Sequence, residues 1–175
     1  KKFVNFSTVW ENYNGIKDNF FNLYSVYKRN FSNIILYYKK KNPKTKFYNL
    51  FISDTFGYKD NRLKIINLIK INYKKNKYTN VVSSNLFLNL VNVEDIINAL
   101  FLILKYRNQS GDYNLVNPKN FRMFDIVNIF NSYNSRKLKI KWLSKKIINK
   151  KIYKRDILKN WTPENSTIKD IVGLI

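Results

Sequence analysis

The sequence has no cysteine and no histidine, and only 4 glycines and 3 prolines among 175 residues. Without cysteine or histidine, the chain cannot form disulfides, use a thiol nucleophile or an imidazole base, or supply the usual zinc ligands. The few glycines exclude a glycine-rich phosphate-binding loop. Acidic residues are also scarce, 11 against 33 lysines and arginines, which gives a formal net charge of +22.

This basic charge first suggests a nucleic acid or an anionic membrane as partner. However, lysine, asparagine, isoleucine, phenylalanine and tyrosine all have codons rich in A and T, and drift in base composition accounts better for the surplus. The lysines are scattered, with short runs at 39–41 and 145–146, and no nucleic-acid-binding motif occurs. We expect no nucleic-acid partner, and a basic nucleic-acid-binding module stays as the less favoured alternative.

The chain also lacks a long hydrophobic run. Its longest uninterrupted apolar stretch is 99–104, whereas about 20 residues are needed to cross a bilayer, and its first residues contain no signal-peptide core. We therefore expect a cytoplasmic protein without a membrane partner. Hydrophobic residues make up 45% and aromatic residues 17% of the chain, which is typical of a folded domain. The start of the chain has no methionine and reads as a strand entered in mid-fold, so we expect a piece of a longer protein.

Apolar runs alternate with segments of helical periodicity. Strands are predicted at 3–6, 47–52, 81–82, 86–91, 113–116 and 138–143, the last strand of the chain. Helices are predicted at 20–41, 63–73, 93–107 and 121–130, and two short helical segments are predicted on either side of 161–163. Asn92 is the expected cap of the third helix, with Glu94 and Asp95 in its first turn. This alternation predicts an α/β fold.

Tyr24 and Lys28 are four residues apart and therefore share one helical face, just after a strand that ends in Thr8. A tyrosine acts as an acid or base near neutral pH when a nearby ammonium group lowers the pKa of the phenol. A hydroxyl such as that of Thr8 would align the substrate hydroxyl, which suits proton transfer coupled to hydride transfer at a sugar or alcohol carbon. The same spacing recurs elsewhere in this tyrosine- and lysine-rich chain, so spacing alone equally fits a core aromatic beside a solvated lysine.

Five ordered segments resemble the extended short-chain dehydrogenases/reductases. They are the Ser7-Thr8 strand end followed by Tyr24-x-x-x-Lys28, and the segments 51–57, 89–96, 113–115 and 158–163. Within that family the chain is most similar to NAD-dependent epimerase/dehydratase proteins acting on nucleotide sugars, including the CDP-abequose synthase type. In that type the strand end reads T-F-W and the helix reads N-L-Y-A-A-T-K.

The resemblance implies a role for each residue of the first site. Thr8 would align the sugar hydroxyl or ketone, with Ser7 as the alternative. Tyr24 would be the catalytic acid and base, and Lys28 would both support Tyr24 and bind the nicotinamide ribose. Ser7 and Ser53 would add contacts to the cofactor, which is NAD or NADP.

The resemblance also implies a nucleotide-sugar substrate. Asp54 lies where many relatives contact the sugar nucleotide with asparagine, and Arg62 and Lys64 are the expected partners of its diphosphate. Val9 and Trp10 replace the Asp-Glu pair of the sugar 4,6-dehydratases, so epimerisation or keto-reduction is expected rather than loss of water. Leu88 and Asn89 depart from the Arg-Asp pair that many relatives carry at those positions.

The resemblance places this chain in the second part of such an enzyme, since the family's glycine-rich turn is missing. We expect residues 1–53 to complete a Rossmann-type doubly wound sheet, and residues 54–175 to form mainly the small mixed α/β domain that binds the sugar nucleotide. The intact protein is expected to be a homodimer. The alternative is an inactive, truncated remnant of such an enzyme.

Overall fold

A computed structural model describes residues 1–106 and 109–175, and it confirms the α/β fold. The strands are β1 (Lys2–Thr8), β2 (Lys46–Ile52), β3 (Asp54–Phe56), β4 (Thr79–Val81), β5 (Leu86–Leu88), β6 (Leu90–Asn92), β7 (Gly111–Leu115), β8 (Phe121–Arg122), β9 (Ile140–Trp142), β10 (Ile148–Asn149) and β11 (Asp156–Ile157). The helices are α1 (Leu23–Lys41), α2 (Ile65–Lys74), α3 (Val93–Lys105), α4 (Met123–Tyr133) and α5 (Ile168–Gly173), and a kinked 3₁₀ segment covers Val9–Gly15.

The chain forms two compact units, and the first consists of Lys1–Ser53, Glu94–Val116 and Lys150–Pro163. Its four strands are all parallel, in the order β1-β2-β7-β11. β2 is buried almost throughout, as expected for a strand with neighbours on both sides and apolar cover. Two segments that follow residue 53 in the sequence thus pack with the first 53 residues.

Helix α1 connects β1 to β2 within this unit. It begins with a capping box: the Asn22 side chain accepts from the Ser25 amide, and the Ser25 hydroxyl accepts from the Asn22 amide, both at 3.1 Å. The cap explains why the helix begins at Leu23 rather than at residue 20 as predicted. Lys39, Lys40 and Lys41 in the last turn complement the negative end of the helix dipole.

The second unit consists of Asp54–Val93, Asn117–Asn149 and Glu164–Ile175. It contains the parallel pairs β3-β6 and β4-β9 and a mixed sheet in the order β10-β5-β8. Helices α2, α4 and α5 and the strands share one core, in which Ile69, Val81, Met123, Ile126 and Ile171 are fully buried.

Several predicted elements differ from the structure. The strand predicted at 86–91 is divided at Asn89, whose side-chain amide donates to the Asn117 carbonyl at 2.7 Å and to Asn120 at 2.8 Å. The segment 138–143 does not contain the last strand, because β10 and β11 follow it. Before residue 161 the tail forms β11, and the helix predicted there is wrong.

Helix α3 ends at Lys105, and residue 107, the predicted end, lies outside the described residues. At the start of this helix, Asn92 is the last residue of β6, and its side-chain amide donates to the Asn165 carbonyl at 3.1 Å. Within the described ranges, no helix combines the length and the apolar character needed to span a bilayer.

Candidate active site

The carboxyl ends of β1 and β2 form the edge of the first unit's sheet where the predicted hydroxyl groups lie. Thr8 ends β1 and is aligned with Ile52 of β2, and Ser53 follows directly. Ligands of open parallel sheets bind beyond this edge, because the loops there can diverge and leave a crevice. The sheet therefore places the predicted Thr8 and Ser53 hydroxyl groups at neighbouring strand ends.

Thr8 and Ser7 are adjacent, but they have different hydrogen-bond partners. The Thr8 hydroxyl oxygen accepts a bond of 3.3 Å from the Trp10 amide, which leaves its proton to be donated elsewhere. The Ser7 hydroxyl donates to Glu11 Oε1 inside the unit. Successive side chains of a strand point to opposite faces, so the two hydroxyl groups cannot serve the same ligand in the same way.

Helix α1 presents Tyr24 and Lys28 one turn apart. Lys28 Nζ lies 5.7 Å from the centroid of the Tyr24 ring and donates a 2.8 Å hydrogen bond to the Phe6 carbonyl of β1. This bond joins α1 to β1 two residues before Thr8. Tyr24 is half-exposed, with 51% of its surface accessible.

A polar network lies behind this surface, and its centre is Glu11. The Glu11 side chain is completely buried, and Oε1 accepts from Ser7 and, at 3.2 Å, from Ser32 of α1. The Ser32 hydroxyl accepts in turn from the Asn49 amide at 3.2 Å, and Asn49 accepts from Asn5 at 2.7 Å. Burial raises the pKa of the Glu11 carboxyl, and the two serine hydrogen bonds offset part of that effect.

Arg155 is a partly buried cation that no sequence pattern indicates. Its guanidinium lies 3.5 Å from the centroid of the Phe51 ring and 4.9 Å from that of Tyr153, and it donates to Asn114 Oδ1 at 3.4 Å. Burial lowers its pKa, while the charges of Glu11 and Asp112 act in the opposite direction. The arginine thus places a partly buried positive charge beside β2 and β7.

Ser53 carries a hydroxyl that is buried and without a hydrogen-bond partner among the described residues. A buried hydroxyl without a partner is unfavourable by about 1–3 kcal/mol, and such a group often marks a ligand or water site. The residue lies at the strand end where the sequence predicts a cofactor contact.

The second unit holds the other predicted residues in one charged cluster. Lys64 Nζ lies 3.5 Å from Asp54 Oδ1, and Arg62 forms a bidentate ion pair with Asp60, with a shortest contact of 2.6 Å. Arg62 also donates to the Thr55 hydroxyl at 2.8 Å. The hydrogen bond from Arg62 is the main reason why the pKa of Asp60 is lowered.

The structure thus collects Ser7, Thr8, Tyr24, Lys28 and Ser53 in the first unit, and Asp54, Arg62 and Lys64 in the second. Sequence reasoning missed Glu11 and Ser32. A signal for Ser32 was available, because it lies one helical turn beyond Lys28 on the face that begins with Tyr24. Among the described residues no group of three or more acidic side chains is placed to hold a metal ion.

No protein-family model matches the chain, and no curated protein matches it. Solved structures do match. MoeE5 with UDP-glucuronic acid and NAD superposes with a TM-score of 0.81 at 11% identity, over 99% of this chain and 63% of that chain. The dTDP-glucose 4,6-dehydratase of Bacillus anthracis with NAD superposes with a TM-score of 0.77 at 18% identity, over 99% of this chain and 61% of that chain. The UDP-glucose 4-epimerase of Thermotoga maritima with UDP-glucose superposes with a TM-score of 0.74 at 14% identity, over 99% of this chain and 62% of that chain.

These matches confirm the predicted likeness at the level of the fold. The parallel sheet and the smaller unit both belong to the architecture of these nucleotide-sugar enzymes, since 99% of the chain is covered. The chain spans about three-fifths of the length of the proteins it matches.

Proposed function

We propose that this chain provides the acid–base residues and the sugar-nucleotide unit of a cytoplasmic, NAD(P)-dependent epimerase or keto-reductase of the extended short-chain dehydrogenase/reductase family. Its substrate would be a nucleoside-diphosphate sugar. The observation that carries the proposal is the placement of Tyr24 and Lys28 on the α1 face that Lys28 joins to β1, close to the strand end with Thr8. The shared fold of the epimerases and the dehydratase supports it.

The residues present fit the nicotinamide end of the cofactor. Lys28 has an ammonium group able to donate to ribose hydroxyls, and the buried Ser53 hydroxyl has no partner among the described residues. With only 4 glycines, the chain does not supply the glycine-rich turn that holds the pyrophosphate. When bound, NAD or NADP would accept hydride from the sugar carbon or return it.

In this mechanism Thr8 donates a hydrogen bond to the reacting sugar oxygen and fixes its position. Tyr24, as phenolate, removes the proton of the sugar hydroxyl while hydride leaves the same carbon, so that a ketone forms. In the reverse direction the Tyr24 hydroxyl returns the proton to the ketone oxygen. Lys28 Nζ lies 5.7 Å from the centroid of the Tyr24 ring, so its positive charge is beside the phenol in both directions of the reaction.

We further propose that the charged cluster of the second unit binds the sugar nucleotide, with Asp54 contacting the nucleotide and Arg62 and Lys64 its diphosphate. Both cations are already paired with aspartates, Arg62 with Asp60 and Lys64 with Asp54. Binding of a diphosphate by these side chains therefore requires them to exchange carboxylate oxygens for phosphate oxygens. A bidentate arginine is suited to this because its planar fork matches both groups.

The proposal is tested by Tyr24→Phe in the intact protein that includes the cofactor-binding part. UDP-glucose, UDP-glucuronic acid and dTDP-glucose are the probes, and the epimerised or oxidised sugar nucleotide that forms is measured by chromatography, because an epimerase returns its hydride and leaves no net reduced nicotinamide. Loss of the phenol is expected to lower turnover by about 10²- to 10⁴-fold, the usual contribution of general acid–base catalysis. Tyr133→Phe is the matched control, because Tyr133 is 70% exposed in the second unit and lies on α4, outside the segment that contains Asp54, Arg62 and Lys64. Unchanged turnover in Tyr24→Phe would remove Tyr24 from the mechanism.

The same assay separates the proposed enzyme from an inactive remnant. A remnant would keep the fold and bind neither cofactor nor sugar nucleotide. Absence of turnover with every probe, together with absence of NAD and NADP binding by the intact protein, would favour the remnant.

We also propose that the intact protein is a homodimer, with α1 in the interface. Five apolar side chains at intervals of three or four residues form an exposed stripe on this helix: Leu23, Tyr27, Phe31, Ile34 and Tyr38. Such a contiguous apolar face is typical of a surface that associates with another protein.

A further inference from the structure

Glu11 is a buried carboxylate that the proposed mechanism does not use. It lies in the 3₁₀ segment directly after β1, three residues beyond Thr8, and none of its surface is accessible to solvent. Burying a carboxylate is unfavourable unless hydrogen bonds compensate for the lost water. Its position therefore calls for a reason beyond the packing of an apolar core.

The bonds of Glu11 connect the two elements that carry the proposed catalytic groups. Oε1 accepts from Ser7 of β1 and from Ser32 of α1. Ser32 follows Lys28 by four residues, and Lys28 follows Tyr24 by four, so all three lie on one face of α1. That face is bonded to the β1 region twice, through Lys28 to the Phe6 carbonyl and through Ser32 to Glu11.

These two hydrogen bonds lie one helical turn apart. Together they fix the position of α1 along its own axis and its rotation about that axis, relative to β1. The Lys28 bond alone would allow the long lysine side chain to adjust as the helix moves. The Ser32 hydroxyl is short, and it is held from a second side by the Asn49 amide of β2. The Ser32–Glu11 contact is therefore the less adjustable of the two.

We infer that Glu11 is a positioning residue of the proposed reaction, which sets the place of Tyr24 relative to Thr8 through Ser32 and Ser7. The inference rests on the proposed function. Glu11 also accepts the hydroxyl proton of Ser7, so that of the two adjacent hydroxyl groups only that of Thr8 has its proton left to donate to the sugar oxygen. An error of about 1 Å in such an arrangement can lower the rate by about 10²-fold.

The matched variants are Glu11→Ala, which removes the acceptor, and Glu11→Gln, whose side-chain carbonyl still accepts from Ser7 and Ser32. In the intact protein, we expect Glu11→Ala to lower kcat by about 10- to 100-fold while KM changes by less than about threefold. Glu11→Gln should restore kcat to within about threefold of the unsubstituted protein. Asp125→Asn, a carboxyl-to-amide change in a surface ion pair with Arg122, is the control.

A kcat for Glu11→Ala equal to that of the unsubstituted protein, or a Glu11→Gln as slow as Glu11→Ala, would overturn the inference. If Glu11→Ala does not fold, Ser32→Ala takes its place, because it removes the Glu11 bond on the α1 side, together with the bond from Asn49, and keeps the bond from Ser7. Turnover retained in Tyr24→Phe would count against the proposed function. The positioning of Tyr24 by Glu11 would then be tested only by magnetic resonance, which does not depend on turnover.

Magnetic resonance of the intact protein supplies a readout that does not depend on turnover. The Thr8 methyl and Tyr24 ring resonances are assigned by loss of the corresponding signals in Thr8→Val and Tyr24→Phe. We expect the Tyr24 ring signals to shift in Ser32→Ala, although the two residues are eight positions apart, and to keep their positions in Glu11→Gln. Tyr24 signals that are unchanged in Ser32→Ala would overturn the inference.

Discussion

Burial of Glu11 makes the stability of the folded chain depend on pH, and the raised pKa of this carboxyl sets the direction of the change. Burial raises the pKa of Glu11, and the hydrogen bonds from Ser7 and Ser32 and the charges of Arg155 and Arg29 act in the opposite direction. The folded protein therefore holds the Glu11 proton more tightly than the unfolded chain. The contribution of Glu11 to the free energy of unfolding is largest below the unfolded pKa and falls as pH rises through the folded pKa.

Replacement of Glu11 by glutamine removes this titration and keeps the acceptor. We expect Glu11→Gln to gain stability relative to the unsubstituted protein as pH rises from 4 to 7, by about 1.4 kcal/mol for each unit of difference between the folded and unfolded pKa. Urea unfolding at several pH values measures the difference. A stability difference that does not change with pH would contradict the assigned role of burial.

Asp60, in the second unit, has a lowered pKa, so its effect on stability changes with pH in the opposite direction to that of Glu11. Its pKa is lowered, chiefly by the hydrogen bond from Arg62, so its contribution to stability is present above the unfolded pKa and is lost as pH falls through the folded pKa. We expect Asp60→Asn to lower stability at pH 7 and to lose this effect on acidification. The size of the effect is small because Arg62 is exposed to solvent. Opposite signs of the pH dependence in the two variants would exclude a general effect of net charge.

Among the elements, the exposed stripe of α1 makes the proposed dimer testable. A charge at its centre, Tyr27→Glu, would leave the folded chain intact because Tyr27 is 64% exposed, but it would place a carboxylate in an apolar interface. We expect the dimer dissociation constant to rise by at least about tenfold, which corresponds to about 1.4 kcal/mol. Sedimentation equilibrium of the intact protein measures it.

Tyr58→Glu is the matched control, since Tyr58 is an exposed tyrosine of the second unit, outside the stripe. It should leave the dissociation constant unchanged. Equal weakening by both variants would show a general effect of added negative charge, and no weakening by Tyr27→Glu would place the interface elsewhere.

Element length decides which parts of the fold the sequence could predict. Helices α1 and α3 extend over 19 and 13 residues, and their periodicity is visible over several turns. Strands β10 and β11 have two residues each, too few for alternation to appear. β10 exists because Ile148 is paired with Leu86, more than sixty positions earlier, and local sequence carries no sign of this pairing.

The same distinction holds within the candidate site. Thr8, Tyr24 and Lys28 can be predicted because they lie within recognisable local segments, a strand end and a helical spacing. Glu11 cannot be predicted in this way, because a single acidic residue after a strand forms no local pattern. Its partner Ser32 lies 21 positions away, and only the packing of α1 on β1 brings the two together.

At the scale of the whole molecule, both units are discontinuous in sequence. The chain passes from one unit to the other after residues 53, 93, 116, 149 and 163. β2 shows the consequence: it pairs with β1 on one side and with β7, which comes from residues beyond 93, on the other. A cut between residues 53 and 54 would therefore leave β2 without one neighbour.

Of the fragments 1–53 and 54–175, we expect the shorter not to fold alone. The shorter fragment would keep β1, α1 and β2 but would expose Tyr48, Leu50 and Phe51, which are fully buried in the complete chain. A fragment of that size also buries too little surface to offset its conformational entropy. Circular dichroism and the dispersion of amide proton signals would show it, with the complete chain measured in parallel. A cooperative thermal transition in 1–53 alone would mean that β1, α1 and β2 form an independent folding unit, and that β7 and β11 only extend a sheet that is already stable.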